Sequence, residues 1–167
     1  MKSNLEEIKE AYLSFRLGDE LFATSVSNVL EVLEIQRITK VPKSPDYLRG
    51  VINFRGEILP VVDTRIKFNL PKSEDTSSTI IVVLDILLSG KRISIGALAD
   101  SVQDVLEFTK SEIKAVPEFG SRYNTEFLLG MKQVNDIFIM ILNIQKVFSV
   151  EELTILRSTE PSDNAIL

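Results

Sequence analysis

Side chains able to do covalent or acid–base chemistry are sparse in this 167-residue chain, which has neither histidine nor cysteine. That removes Ser–His and Cys–His nucleophile pairs and the common zinc sets. Gly90-Lys91-Arg92 is too short for a phosphate-cradling loop and reads as a hairpin turn. Scattered carboxylates and lysines remain. Sequence alone does not bring them together, so a carboxylate pair or a lysine base stays open as an alternative. The expectation is no catalytic residue, no metal ligand set and no cofactor. One polar residue is set apart by its position. Arg55 opens Arg55-Gly56-Glu57, between the short strands Val51–Phe54 and Ile58–Val62. Asp63 then reads as the N-cap of a short helix carrying Ile66 and Phe68. A guanidinium at a turn tip costs little to expose and offers several donors in a fixed fork. That suits display to a partner. The structural alternative is an ion pair with Asp63 or Glu57 that holds the hairpin.

The elements that must carry Arg55 are mostly strands. Hydrophobic residues make up 44% of the chain, enough for a substantial core. A net charge of −5 disfavours nucleic acid and anionic membrane as partners. No apolar run reaches about 18 residues, so no spanning helix is expected. The amino terminus lacks the apolar core of a signal peptide, and a cytoplasmic location fits. Residues 1–11 read as a short amphipathic helix with Leu5 and Ile8 on one side, or as a fraying end. Tyr12–Leu17 alternates as a strand, and Leu21–Thr24 returns as its hairpin partner across Gly18-Asp19-Glu20. Ser25–Val29 reads as a turn and Leu30–Ile35 as a strand. Asn69–Ser78 is polar, contains Pro71 and reads as a linker. Thr79–Leu84 and Ile137–Leu142 read as strands buried on both faces. Asn143 is placed as a helix cap. Ser149 with Glu152 forms a capping box for a last helix, before a polar tail over 158–167.

The chain also repeats itself. Ser25-Val26-Ser27-Asn28-Val29-Leu30-Glu31 is echoed by Ser101-Val102-Gln103-Asp104-Val105-Leu106-Glu107. Ile38 and Val41-Pro42 are echoed by Ile113 and Val116-Pro117, Tyr47–Gly50 by Phe127–Gly130, and Ile58–Asp63 by Phe138–Asn143. The spacings are 76, 75, 80 and 80 residues, in the same order. Four echoes in order argue for a duplicated unit of about five short strands, each unit small-barrel material. One such unit has a thin core, and two gain stability by packing together. Val26, Val29, Val102 and Val105 fall in equivalent places and are expected to face the junction, where a binding groove can form.

From Val41-Pro42 through Tyr47-Leu48-Arg49-Gly50-Val51-Ile52-Asn53-Phe54-Arg55-Gly56 and Leu59-Pro60-Val61-Val62-Asp63, the chain resembles the CheW family of bacterial chemotaxis coupling proteins. Asp100-Ser101-Val102, Val105-Leu106 and Pro117-Glu118-Phe119 add to the likeness. Phe54 stands where the family usually has leucine. The resemblance implies a mainly β, CheW-like fold: two SH3-like five-stranded β-barrel subdomains with short helices and a C-terminal helix. It implies a single domain over 12–157, with intertwined subdomains at approximately 15–80 and 81–148 between tails 1–11 and 158–167.

The implied function is that of a non-enzymatic adaptor coupling methyl-accepting chemoreceptors to the histidine kinase CheA in signalling arrays. The alternative is a CheW-like regulatory domain, or an adaptor fragment fused to a receiver. A start at Met1 and the lack of a spare domain disfavour a fusion. The implied partners are the CheA regulatory domain, the cytoplasmic receptor tip (a helical coiled-coil hairpin) and other CheW copies in arrays. Nucleic acid and direct membrane insertion are not implied. The location implied is cytoplasmic, recruited to membrane-associated arrays. Carried over by position, the receptor groove would use Val26, Val29, Glu31, Val32 and Val102. The structural alternative for these is core packing between the barrels. Arg55 would serve the coupling surface. The kinase face would use Val41, Pro42, Ser44, Gly50 and Ile52, although Pro42, Pro45 and Gly50 could equally do no more than shape loops. Glu118 and Phe119 would make a second kinase or ring contact.

Overall fold

The computed structural model describes residues 8–71, 74–117, 125–148 and 152. Among the described residues ten strands run in order: β1 (Glu10–Leu17), β2 (Glu20–Ser25), β3 (Val29–Glu34), β4 (Leu48–Phe54), β5 (Glu57–Asp63), β6 (Ile80–Leu88), β7 (Lys91–Ala99), β8 (Ser101–Phe108), β9 (Leu128–Val134) and β10 (Ile137–Leu142). Two short helices, α1 (Thr64–Lys67) and α2 (Ile144–Val147), follow β5 and β10. The expected hairpins are present, while β8 and β9 are strands that alternation did not mark. β1 begins at Glu10, inside the stretch read as a tail or helix. The last helix expected after Ser149 lies outside the described residues, apart from Glu152.

The strands form two five-stranded sheets, ordered β8-β1-β2-β10-β9 and β3-β6-β7-β5-β4. This corrects the expected partition into 15–80 and 81–148. The second, central sheet is the continuous stretch from β3 to β7. The first, terminal sheet combines β1 and β2 with β8 to β10. The repeat explains why. Each repeat contributes a hairpin followed by three strands, and the three strands pair with the other repeat's hairpin. β5 runs parallel to β7, and β10 runs parallel to β2. Parallel pairing cannot be made by a tight hairpin and requires strands distant in sequence.

The duplication reaches single atoms. Thr39 N and O exchange bonds with Val51 O and N at 2.9 and 2.8 Å, and Lys114 does the same with Met131 at 2.8 Å each. Asp63 N donates to Tyr47 O and Asn143 N to Phe127 O, both at 2.7 Å. Gly50 and Gly130 hold φ of 151° and 153°. A Cβ on Gly50 would stand 2.2 Å from Thr39 O, and one on Gly130 2.4 Å from Lys114 O. Backbone lies against backbone at both places, so neither neighbour can yield by turning a side chain. One difference breaks the symmetry. The Asp63 side chain caps α1 by accepting from Arg65 N, whereas Asn143 makes no side-chain cap bond to α2.

Each sheet is rolled over a small interior cluster. Ile52, Phe54, Leu59, Val61, Ile81, Val83 and Leu98 fill the central one, with Leu33, Ile35 and Ile38 packed against them from the β3 side. Tyr12, Ala23, Phe108, Ile139 and Ile141 fill the terminal one. Tyr12 stacks on Phe108 at 4.2 Å, and burial together with the Glu10 carboxylate pushes its phenol up to about 12. The largest cluster lies between the sheets. It holds nineteen buried residues against seven and five, drawn from both sheets and including Phe15, Phe22, Val62, Leu84 and Leu142. Phe15, Phe22 and Phe68 stack in series across it at centroid distances of 6.4 and 5.5 Å, and Phe127 meets Phe68 tilted at 5.8 Å. Lys67 Nζ closes one end, 5.3 to 5.5 Å from the rings of Tyr47, Phe127 and Phe148 and paired with Glu152.

Gly50→Ala and Gly130→Ala should each destabilise the protein by about 3 kcal/mol or more. Gly18→Ala should cost only about 1 kcal/mol, because nothing lies within 4 Å of its added Cβ. Urea midpoints of the three variants measure the contrast.

Candidate protein-binding surface

Two short crossings position the exposed apolar residues. β2 passes to β3 through one 3-10 turn, Val26–Asn28, which the Ser25 hydroxyl caps by accepting from Ser27 N at 3.3 Å. β7 passes to β8 through Asp100 alone. β3 and β8 are edge strands. β3 pairs with β6 (Val29 with Leu84, Val32 with Val82), and β8 pairs with β1 (Val105 with Leu13, Val102 with Phe15). All four partners belong to the shared core, so the four valines lie on its rim. Val29 is half-buried and packs on that core, as the structural alternative had it. Val26, Val32 and Val102 are 39, 39 and 37% exposed. Leu30, which no expectation included, and Val105, expected at the junction but not in the set carried over from the family, are more exposed still at 43 and 59%. A bulge at residue 30 turns Leu30 out of register, since Val29 pairs Leu84 and Glu31 pairs Val83.

Arg55 sits at the tip of the β4–β5 hairpin with φ of 52°, followed by Gly56 at 82°. Two residues in the left-handed region make the tight two-residue turn that matches strand twist. Gly56 N donates to Asn53 Oδ1 at 3.1 Å and fixes the loop. The guanidinium lies 4.8 Å over the Phe54 ring and donates from Nη2 to Glu31 Oε1 at 3.1 Å. Asp63 and Glu57, the partners in the structural alternative, are not the ones it uses. β3 and the β4–β5 hairpin belong to opposite halves of the central sheet order, so this pair spans the mouth of the rolled sheet. It joins Arg55 to Glu31, two residues that sequence placed in separate sites. Both remain exposed, at 63 and 40% of their side chains. Such a pair contributes about 0–1 kcal/mol to stability. Its donors and acceptors are therefore available to a partner at little cost to the fold.

A second arginine does the opposite and was missed in the sequence. Arg65, in α1, is fully buried. Its Nε and Nη2 donate to the two Asp63 oxygens at 3.0 and 3.2 Å, Nη1 to Asp100 Oδ1 at 2.9 Å, and Nη2 to Asp75 Oδ1 at 3.4 Å. Arg49 reinforces Asp63 at 3.5 Å and pairs with Asp75. Asp100 Oδ2 also accepts from Gly18 N at 2.6 Å, which ties the β1–β2 turn to the β7–β8 crossing. Burial works against the Arg65 charge, but Asp63 first, then Asp100 and Asp75, outweigh it and raise its pKa. These carboxylates are held as ion pairs by two arginines. That arrangement braces the elements that carry them. The available signal was Arg65 standing two residues after the cap Asp63, inside reach of its carboxylate.

Two residues expected on the kinase face are not on a surface. Ile52 is 5% exposed within the central sheet's interior, and Gly50 is buried against Thr39. Their burial follows from the parity of β4, which turns Gly50, Ile52 and Phe54 inward, while a register shift before Gly50 sends Leu48 to the shared core. Val41 packs on the shared core, and Ser44 Oγ donates to Val41 O at 2.8 Å, leaving Pro42 as the exposed member of the set. Glu118 and Phe119 lie outside the described residues. Among the described residues, no group of three acidic side chains is arranged to hold a metal ion, and no helix is long and apolar enough to cross a membrane.

Two rolled sheets thus share one core, with an apolar rim and an exposed ion pair at its edge. Residues 11–152 match the family described as the CheW-like domain. "Chemotaxis protein CheW" of Klebsiella aerogenes is 31% identical over 157 residues, 94% of this chain and 92% of that protein. The protein of the same name from Thermotoga maritima is 31% identical over 159 residues, 93% of this chain and 97% of its own length. The crystal structure of the scaffolding protein TtCheW from Thermoanaerobacter tengcongensis superposes with a TM-score of 0.76 at 27% identity, covering 89% of this chain and 94% of that one. The chain belongs to the CheW-like domain family.

Arg65→Met should cost about 3–5 kcal/mol, because it strands the buried Asp63 carboxylate. Arg55→Ala should cost less than about 1 kcal/mol. Denaturant unfolding of both variants tests the division between brace and exposed pair.

Proposed function

We propose that this protein is a non-enzymatic chemotaxis scaffold that holds chemoreceptors and the histidine kinase CheA in fixed relative geometry. The observation that carries the reading is the exposed apolar rim at Val26, Leu30, Val32, Val102 and Val105, beside the Arg55–Glu31 pair. Isolated exposed valines are ordinary, but a series of apolar residues along two edge strands and the turn before β3 suits the apolar stripe of a helix. Burying one such side chain contributes about 1.5 kcal/mol or more. The receptor tip, a helical hairpin, is the occupant this rim fits. The regulatory domain of the kinase would meet the loop at Pro42, with Val41 and Ser44 shaping it from below. A second contact at Glu118 and Phe119 would join the protein to another kinase or to another copy in an array. Location in the cytoplasm, recruited to membrane-associated arrays, goes with that role. Each contact is modest, and linkage in an array raises the effective concentration of the next.

Rigidity supports the same reading. The Arg65 brace and the shared core fix the two sheets against each other, so a displacement at the receptor side is passed on and not absorbed. Arg55 bridges the mouth of the central sheet from an exposed position, where a partner can compete for its donors. Arg55→Ala should leave the urea midpoint near wild type and lower kinase activation in a reconstituted receptor–kinase assay by about fivefold or more. Unchanged activation would remove Arg55 from the coupling surface.

A further inference from the structure

β3 reads VLEVLE and β8 reads SVQDVLEF, so the two edge strands together hold four acidic residues and no lysine or arginine. The whole chain carries 24 acidic and 19 basic residues, so this is a local asymmetry. Glu31 is taken by Arg55. Glu34, Asp104 and Glu107 are exposed and make no ion pair among the described residues. Register places two of them with the apolar rim. Val32 pairs Val82 and Glu34 pairs Ile80, so both point to the shared-core side of β3. Val105 pairs Leu13 and Glu107 pairs Ala11, which gives β8 the same valine-then-glutamate order. Asp104 is set by a bulge that lies between the Leu13–Val105 and Phe15–Val102 pairs. The buried Ser14 hydroxyl holds this bulge, accepting from Asp104 N at 3.0 Å and donating to Asp104 O at 2.9 Å. The Asp104 carboxylate is left outside, beside Val105.

We propose that this surface selects a partner helix whose apolar stripe is flanked by lysine or arginine, with Glu34 and Glu107 as the specificity-determining residues and Asp104 supporting them. The inference rests on the adaptor reading and adds the charge of the partner to it. Valines supply most of the contact energy but accept any apolar stripe. Unpaired carboxylates beside them repel an acidic helix and steer a basic one, which gives discrimination and association rate more than affinity. Exposed charges of this kind act within a Debye length of about 10 Å at 0.1 M salt, so their effect fades as salt rises.

The test measures binding of the full chain to the soluble cytoplasmic fragment of a chemoreceptor by calorimetry, at about 50 and about 300 mM salt. Wild type is compared with the pairs Glu34→Gln/Glu107→Gln and Glu34→Lys/Glu107→Lys. Binding should be tighter at low salt. The lysine pair should weaken it about tenfold and the glutamine pair by a smaller factor. Urea midpoints check that both variants fold. If the lysine pair is unstable, the near-isosteric glutamine pair carries the comparison alone. Wild-type binding that the substituted pairs match or exceed overturns the charge rule and leaves the adaptor reading standing. No binding by wild type at either salt overturns the adaptor reading itself, and the charge rule with it.

Discussion

Neither repeat of this chain can bury its own apolar surface, and the rest of the structure depends on that constraint. The β1–β2 hairpin has its remaining sheet partners in β8, β9 and β10, and the β6–β7 hairpin has its own in β3, β4 and β5. Exchange of strands leaves the two hairpins back to back, and their inner faces supply most of the nineteen-residue core between the sheets, with Leu48, Val62, Phe68, Leu142, Ile144, Val147 and Phe148 completing it. Each buried Leu, Ile, Val or Phe there contributes about 1.5–3 kcal/mol, so the junction outweighs either small interior. The same constraint places the exposed apolar rim. Because the crossings from β2 to β3 and from β7 to β8 are short, both edge strands start where the sheets meet. Their valines spill from the shared core onto the surface.

Two arginines divide the polar work. Arg65 is enclosed and satisfied by three aspartates, and it locks α1, the stretch around Asp75, the β7–β8 crossing and the β1–β2 turn into one body. A buried charge network of this kind is costly to break from one side, yet its net contribution is small once desolvation is counted. Its value is in fixing geometry. Arg55 lies in solvent with one carboxylate partner, where the pair adds little to stability. An adaptor needs both kinds of group: one to hold the frame, and one free enough to be recruited by another protein.

Much of this was legible in the sequence. β1, β2, β5, β6, β7 and β10 announce themselves by alternation or by β-branched runs, and Gly56, Gly90 and Asp63 mark turns and a cap by local chemistry. The four echoes identified the duplication, and Gly50 and Gly130 show it in the backbone. Sheet membership was not legible, because which hairpin a three-strand unit joins is a non-local choice that no residue declares. β8 and β9 were missed because polar residues interrupt their alternation, and β8 also carries a bulge. Gly50 and Ile52 were placed on a surface because family position says nothing about strand parity, which turns both inward. Arg65 looked like an ordinary helix residue, since two of its partners, Asp75 and Asp100, are brought to it only by the fold. The Arg55–Glu31 pair was hidden for the same reason: it closes a rolled sheet whose curvature no local pattern records.

The central claim is that one rigid body engages two different proteins at once. Co-sedimentation or analytical ultracentrifugation of the protein with a chemoreceptor cytoplasmic fragment and a CheA regulatory domain, singly and together, tests it most directly. The account predicts two binary complexes and a ternary complex in which neither partner displaces the other. Mutually exclusive binding, with the kinase domain driving off the receptor fragment, would contradict it.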